Sequence, residues 1–204
     1  MNIREYAILF WTVVGIVTLL VASPALSRLL VYPQTEFFTE VWLLGPSHMA
    51  EDYPFNITSG QTYNIYVDLA NHLGHSAYYV VEVKFRNETQ SMPSSFGPLE
   101  NRTPSSLPSL FNVTAFVGNG QDWELPLAFS LSYSYNQTLG QVDFQNMTFN
   151  NAVLSLAGYT TTWNSTLDMF LGNLFLETWI YNSTTSSFQY HARWVGLQLN
   201  MTST

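Results

Sequence analysis

The sequence predicts a mainly β protein, in which a single N-terminal transmembrane helix precedes an antiparallel β-sandwich of the immunoglobulin-like type. The helix is indicated by Tyr6 to Ser27, which contains no Asp, Glu, Lys, Arg or His. The sandwich is indicated by short alternating apolar stretches with turn residues between them, in a chain rich in Tyr, Phe, Thr and Asn. We therefore expect a tail and transmembrane helix over residues 1–32 and a β domain over residues 33–204.

The apolar segment is long enough to cross a membrane. At about 1.5 Å per residue its 22 residues reach roughly 33 Å, and inside lipid only a helix satisfies its own backbone groups. A secretory signal peptide is the alternative, since Ala25-Leu26-Ser27 is a tolerable cleavage site, but the run exceeds the usual ~7–15-residue signal core. A retained anchor is favoured. Pro24 is expected to end or kink the helix, because proline lacks an N–H.

Small residues mark one part of this segment. Thr12, Gly15 and Thr18 step by three and form a contiguous patch, and small residues let helices approach closely in lipid. The patch predicts packing against a second helix in the membrane. A lone helix facing lipid, with small residues there by chance, is equally compatible with the pattern.

The rest of the chain divides into strands and turns. Residues 28–35 are expected to form a short link, Gly45 to Gly60 and Ser91 to Pro108 to form loops, and Asn151 to Met169 is ambiguous. Alternation and turn signals predict strands at Glu36–Gly45, Thr62–Asn71, Ala77–Phe85, Leu110–Val117, Trp123–Tyr135, Gln141–Phe149, Leu174–Tyr181 and Phe188–Leu199.

Charge and composition exclude several classes of function. The net charge is −8 with only six Lys plus Arg, so the chain lacks the basic face that a nucleic-acid partner requires. The absence of cysteine excludes disulfides, thiolate metal sites and a cysteine nucleophile. No phosphate-binding glycine motif or nucleophile elbow occurs, so no cofactor and no catalytic residue is predicted.

Nine of the sixteen asparagines begin an Asn-x-Thr triplet, the acceptor pattern for N-linked glycans, whereas about three would arise by chance. All nine follow the apolar segment. This placement predicts a cytoplasmic N-terminus and an extracellular, glycosylated β domain at the cell membrane; a Thr- and Asn-rich strand composition is the simpler alternative. The predicted glycosylation sites are Asn56, Asn87, Asn101, Asn112, Asn136, Asn146, Asn164, Asn182 and Asn200.

Two groups of side chains are candidates for chemical sites. The pair His72 and His75 would suit a metal if a carboxylate joined them, but a polar hairpin tip explains them better, and no metal site is predicted. A cluster of acidic residues near the start of the β domain would suit acid–base catalysis only at a fixed separation, and solvated strand edges are the simpler interpretation. This cluster comprises Glu36, Glu40, Glu51 and Asp52.

Four tryptophans, if exposed, would stack on sugars or on a partner protein. Alternation along the strands instead favours packing in the core for most of them. These residues are Trp123, Trp163, Trp179 and Trp194.

Several short motifs occur in a fixed order along the sequence. They are TEFFTEVWLLGP, EDYP, the Asn71-His72 step, YVVEVKF, Asp122-Trp123-Glu124, LFLETWIY and the closing YHARW. In their order and spacing they resemble the archaeal DUF1616 family of uncharacterised membrane proteins, over most of residues 33–200. The resemblance implies a membrane-embedded N-terminal part followed by an extracytoplasmic β domain. This chain departs from the family by having one span and an expanded middle, about residues 131–170, and the resemblance implies no activity.

These observations predict a membrane-anchored extracellular glycoprotein that is not an enzyme and acts as an interaction or accessory subunit of a membrane or envelope assembly. The expected partners are membrane lipid, other protein subunits and N-linked glycans, and no nucleic acid. A pilin-like filament or surface-layer subunit is one alternative. An envelope glycan-binding module or hydrolase is another.

Overall fold

A computed structural model describes residues 3–29, 37–94 and 98–202 of the chain. The chain divides into two compact units, Met1–Glu36 and Phe37–Thr204. Most of the link predicted over residues 28–35, from residue 30 onward, lies outside the described residues.

The first unit contains one helix, α1, from Ile3 to Leu29. Its segment Tyr6–Ser23 is long and apolar enough to cross a membrane, a test of length and composition that an N-terminal signal sequence also passes. The helix does not end at Pro24, because α1 continues to Leu29, and the alternative that Pro24 kinks the helix stays a prediction. A proline in such a helix sacrifices a single backbone hydrogen bond, which an otherwise uninterrupted apolar helix tolerates.

The second unit is built from strands. Its described residues form an eleven-stranded sheet in the order β1-β3-β6-β7-β9-β10-β11-β2, in which β4 also pairs with β10, β5 with β4, and β8 with β7. Every pair is antiparallel except β11 with β2. The strands are β1 Phe38–Leu44, β2 Asn56–Thr58, β3 Thr62–His72, β4 Ala77–Asn87, β5 Phe111–Val117, β6 Gln121–Asn136, β7 Gln141–Phe149, β8 Ala152–Ser155, β9 Thr160–Asn164, β10 Met169–Asn182 and β11 Ser187–Thr202.

The sheet curls so that its two halves share one core. We call β1, β3, β6, β7 and β8 the first half and β2, β4, β5, β10 and β11 the second half; β9 pairs with β7 and β10 and joins them. Phe85 of the second half meets Phe144 of the first with ring centroids 4.9 Å apart. The mainly β prediction is confirmed, but the immunoglobulin-like arrangement is not, because the strands follow one continuous hydrogen-bonded path.

Alternation along β4 shows why these residues form a two-sided strand. Tyr79, Val81, Val83 and Phe85 are buried in the core. Because successive side chains of a strand point to opposite faces, Tyr78 and its even-numbered neighbours lie on the outward face of the second half. That outward face and the adjoining edge of β11 carry the features described next.

Candidate functional site

A β-bulge interrupts the long β10–β11 hairpin. Thr178 pairs with Arg193 and the next residue, Trp179, pairs with Tyr190, so His191 and Ala192 have no partner on β10. Ala192 is buried and has a φ of 55°, in the left-handed region that costs a residue with a Cβ about 1–2 kcal/mol. Bulges and strained residues of this kind concentrate at functional sites, where they redirect side chains.

A cavity of about 320 Å³ opens at the bulge. This volume lies at the lower end of the ~300–1,000 Å³ typical of small-ligand sites. We call it the bulge pocket. Its lining combines apolar rings with one cationic and several polar side chains: Phe37, Phe38, Thr39, Leu99, Tyr190, His191, Ala192 and Arg193.

Inside the bulge pocket, His191 is held by a buried hydroxyl. Its Nε2 lies 2.8 Å from Thr39 Oγ1, which in turn lies 3.0 Å from the hydroxyl of Tyr79. Burial, and then the charge of Arg193, lower the pKa of His191 to about 4. The imidazole is therefore neutral near pH 7, and it forms part of the polar wall of the pocket.

Arg193 is fixed by backbone carbonyls. Its Nε donates to Thr39 O at 3.1 Å and its Nη1 to Ala192 O at 3.3 Å. Among the described residues no carboxylate lies within 4.0 Å of this guanidinium, although it is half-buried. Charges removed from water are normally paired, so a half-buried guanidinium without a carboxylate partner among the described residues could pair with an anionic ligand.

Polar atoms without partners also gather at the bulge. In the described part of the chain six buried side-chain polar atoms lack a hydrogen bond, and three of them are Thr178 Oγ1, Trp179 Nε1 and the Tyr190 hydroxyl. Burial, and then the charge of Glu177, raise the pKa of Tyr190 to about 12, so its hydroxyl remains protonated. Buried polar groups are usually hydrogen-bonded, so these three atoms mark a place where packing leaves polar groups unpaired.

Beside the bulge pocket, four aromatic side chains form a row across four strands. Phe116 pairs with Tyr78, and Tyr181 pairs with Phe188, while the Tyr79–Ile180 pair brings Tyr78 next to Tyr181. The Tyr78 and Phe188 rings are 5.2 Å apart, and those of Tyr181 and Phe188 are 5.4 Å apart. Phe116 is 72% exposed, Tyr181 41% and Tyr78 39%. We call Phe116, Tyr78, Tyr181 and Phe188 the aromatic row.

The row and the pocket are adjacent. Trp179 and Tyr190 occupy the next outward positions on β10 and β11, two residues from Tyr181 and Phe188 respectively, and their ring centroids are 5.6 Å apart. Alternate residues of a strand are roughly 6.7 Å apart. An extended ligand lying on the row would therefore reach the bulge pocket.

A buried ion pair ties the loop after β4 over the same face. Lys84 Nζ lies 2.7 Å from Glu177 Oε2 and 3.2 Å from Glu82 Oε2. The backbone N–H of Ser105 donates to Glu177 Oε1 at 2.6 Å, and Lys84 donates to Ser105 O at 3.2 Å. This loop also carries Leu99, which lines the bulge pocket.

The histidines and acidic residues predicted as candidates are not brought together. His72 packs on Phe38 with ring centroids 4.8 Å apart, and His75 Nδ1 lies 3.0 Å from Leu73 O. Over residues 3–29, 37–94 and 98–202 no group of three or more His, Asp or Glu could hold a metal ion. Glu36 lies outside the described residues; Glu40 is exposed on β1, and Glu51 and Asp52 are exposed in the following loop.

A different acidic group, which sequence reasoning missed, lies on the outward face of the first half. Asp68 of β3 pairs with Glu124 of β6, and His48 Nδ1 lies 3.0 Å from Glu124 Oε2. Burial, and then the charge of Glu124, raise the pKa of Asp68 to about 6. No signal in the sequence joins these residues, because their proximity depends on strand pairing.

The remaining predicted residues are spread over both units, and Trp123 packs against the core, as alternation favours for most of the tryptophans. Trp123, Trp179 and Trp194 are half-buried, and Trp163 is exposed with its ring 4.8 Å from that of Phe170.

In α1, Thr12 and Thr18 donate to the carbonyls of Ile8 and Val14, and no atom lies within 4 Å of a Cβ built on Gly15. None of the nine sequon asparagines is buried. Asn56, Asn101, Asn112 and Asn146 are exposed, and Asn87, Asn136, Asn164, Asn182 and Asn200 are half-buried.

The fold defines a mainly β domain preceded by one apolar helix. The sequence profile of the family described as "Domain of unknown function (DUF1616)" matches residues 33–154, more than half of the chain. The protein belongs to this family. The match ends before β10 and β11, so the bulge lies beyond it.

The solved structures that are similar to this chain include two crystal structures of a β-glucosidase from Listeria innocua. The glucose complex has a TM-score of 0.40 and 10% identity, covering 84% of this chain and 17% of the enzyme. The gluconolactone complex has a TM-score of 0.36 and 10% identity, covering 82% and 17%. The chain thus spans about a sixth of the enzyme's length, and no activity is inferred from so partial a similarity. No curated protein sequence matches.

Proposed function

We propose that the protein is a membrane-anchored binding protein that performs no chemistry and holds another component of the cell envelope as an accessory subunit. The observation that carries this proposal is the aromatic row, which continues into the bulge pocket. Aromatic patches left open to solvent are typical of interaction surfaces. The row lies on four hydrogen-bonded strands, a rigid base that keeps the rings in one arrangement.

The chemistry of the bulge pocket favours binding over catalysis. Thr39 and His191 have the separation of a nucleophile and its base, but Thr39 is buried and His191 is bonded to no carboxylate among the described residues. A triad needs a third group to orient the base. Arg193 is instead placed to attract a ligand.

The proposed location is supported by α1 and the sequons. In this proposal α1 stays in the membrane with its N-terminus in the cytoplasm, and the β domain lies outside the cell with N-linked glycans. The support is the length and apolar composition of Tyr6–Ser23 and the nine acceptor triplets that follow it.

The proposal is tested by purifying the full-length protein from its native membrane in mild detergent and quantifying co-purifying components by mass spectrometry. Tyr181→Ser removes one ring from the row. Tyr135→Ser is the matched control, since this tyrosine is 46% exposed on the first half. The expected result is a component retained by the wild type and by Tyr135→Ser and lost from Tyr181→Ser. Equal retention by all three, or a wild type that purifies alone, contradicts the proposal.

A further inference from the structure

We propose that the bulge pocket binds a carboxylate carried on a ring-shaped body, such as a uronic acid unit. This inference rests on the proposed function and names the chemistry of its ligand. It begins from the scarcity of positive charge in the β domain. Only four Lys or Arg occur after residue 36, and the net charge of the whole chain is −8. The four are Lys84, Arg86, Arg102 and Arg193.

Arg193 is the cation of the bulge pocket. Lys84 is neutralised by Glu82 and Glu177, whereas Arg193 has only the carbonyls of Thr39 and Ala192 as partners among the described residues. A guanidinium has five N–H donors, and these two bonds occupy two of them. An anion from outside the chain would pair with the remaining donors and offset the cost of the buried charge.

The charges near the pocket favour an anion with a single negative charge. The planar fork of a guanidinium matches the two oxygens of a carboxylate. Glu177 lies close enough to Tyr190 for its charge to raise the pKa of that pocket residue. Glu177 would repel a doubly charged phosphate more strongly than a carboxylate, although the charges of Arg102 and Arg193 both oppose that of Glu177 at Tyr190.

The residues that line the pocket indicate the size and polarity of the ligand. Phe37, Phe38 and Leu99 supply apolar surface, and Tyr190 adds a ring with a protonated hydroxyl. A cavity of about 320 Å³ has room for one ring and not for a long chain. Thr39, Tyr190 and His191 add polar groups to this apolar lining, which favours a ring that carries hydroxyl groups, as a sugar acid does, over the bare ring of benzoate.

The test is titration calorimetry of the full-length protein in detergent with four probes: glucuronate, benzoate, glucose and inorganic phosphate. Glucuronate is expected to bind and glucose and phosphate to bind much more weakly. If benzoate binds as tightly as glucuronate, the proposal that the ligand is a carboxylate on a ring stands, but the preference for a sugar acid is wrong. Glucose or phosphate binding as tightly as glucuronate overturns the proposal, as does the absence of binding by both carboxylates.

Variants locate the binding. Arg193→Gln should weaken the binding of glucuronate by about 10- to 100-fold, which is the usual contribution of a hydrogen bond to a charged group. Arg86→Gln is the matched control, because Arg86 is also half-buried in the second half and also donates to two carbonyls, those of Glu88 and Gln90. Equal losses in both variants, or no loss in Arg193→Gln, contradict the assignment.

Two measurements keep the result independent of folding and of the broader proposal. Arg193→Lys keeps the charge and should bind glucuronate measurably but more weakly than the wild type, and it replaces Arg193→Gln as the test if that variant fails to fold. Glucuronate should also raise the pKa of His191 above its value of about 4, followed by NMR of the imidazole. If no carboxylate binds while Tyr181→Ser still releases the envelope component, the ligand chemistry is wrong and the proposed function stands.

Discussion

Replacing Asp68 by Asn is expected to change the pH dependence of stability. Asp68 lies on the outward face of the first half yet is only 6% exposed, and its Oδ2 has no hydrogen-bond partner. Glu124 faces it from β6, with Asp122 and His48 nearby. Burial, and then the charge of Glu124, raise its pKa from 3.8 to about 6 in the folded protein.

The sign of the effect follows from linkage. A carboxyl whose pKa is higher in the folded state binds its proton more tightly there, so wild-type stability falls as the pH rises from about 4 to about 6. A shift of roughly two units corresponds to at most about 3 kcal/mol. Asparagine does not titrate, so the free energy of unfolding of Asp68→Asn relative to wild type should increase by up to about 3 kcal/mol between pH 4 and pH 8.

The assay is urea unfolding of the full-length protein in detergent, followed by tryptophan fluorescence across that pH range. Comparing variant with wild type cancels groups common to both, including His191, whose lowered pKa acts in the opposite direction between about pH 6.5 and pH 4. Glu51→Gln is the control, because this carboxylate is exposed in the loop after β1, is not among the charges that shift the pKa of Asp68, and should change stability by less than about 0.5 kcal/mol. A difference for Asp68→Asn that is independent of pH, or larger at pH 4, refutes the reasoning.

Three further predictions concern the core and the helix. Lys84→Met leaves Glu177 buried without its cation and should cost about 3–5 kcal/mol by urea unfolding, while Lys84→Met with Glu177→Leu should recover most of it. Gly172→Ala would place a Cβ 2.6 Å from the ring of Phe85, which should cost about 1–3 kcal/mol and lower the midpoint of thermal unfolding. Val14→Arg should cost about 2.5–3.5 kcal/mol of membrane insertion, measured as increased release by carbonate washing.

Much of the strand pattern could be predicted from alternation. The bounds of β7, Gln141–Phe149, are those predicted, and β3 and β4 extend their predictions by one and two residues. In both β3 and β4 one face is buried in the core, so apolar and polar residues alternate with period two. The strand β2 was predicted as loop, because three residues are too few to show a period and its pairing with β11 is set by tertiary structure.

The bulge was not predictable from periodicity, for a physical reason. His191 and Ala192 are two extra residues, and an even insertion leaves Tyr190 and Trp194 in the same phase of alternation. The aromatic row was equally hidden. Its members are spread over β4, β5, β10 and β11, and only strand order brings Phe116 to the same face as Phe188.

Strand pairing predicts that two of the acceptor asparagines cannot both carry a glycan, which the acceptor pattern alone does not predict. Asn56 of β2 and Asn200 of β11 are register partners, so their side chains lie side by side on one face. Asn200 Nδ2 donates to Asn56 Oδ1 at 2.9 Å. A glycan is bulky and is attached at Nδ2, so a glycan on either asparagine would occupy the space that the other requires.

We therefore expect at most eight of the nine sequons to be occupied on any one molecule, with Asn56 and Asn200 exclusive of each other. Intact-protein mass spectrometry combined with glycopeptide mapping measures this. Asn56→Gln should raise occupancy at Asn200, because it removes the competing acceptor, whereas Asn146→Gln, an exposed sequon on β7, should leave occupancy at Asn200 unchanged. A molecule carrying glycans on both Asn56 and Asn200 would show that β2 does not pair with β11 when the glycans are added, since the two acceptors could then separate.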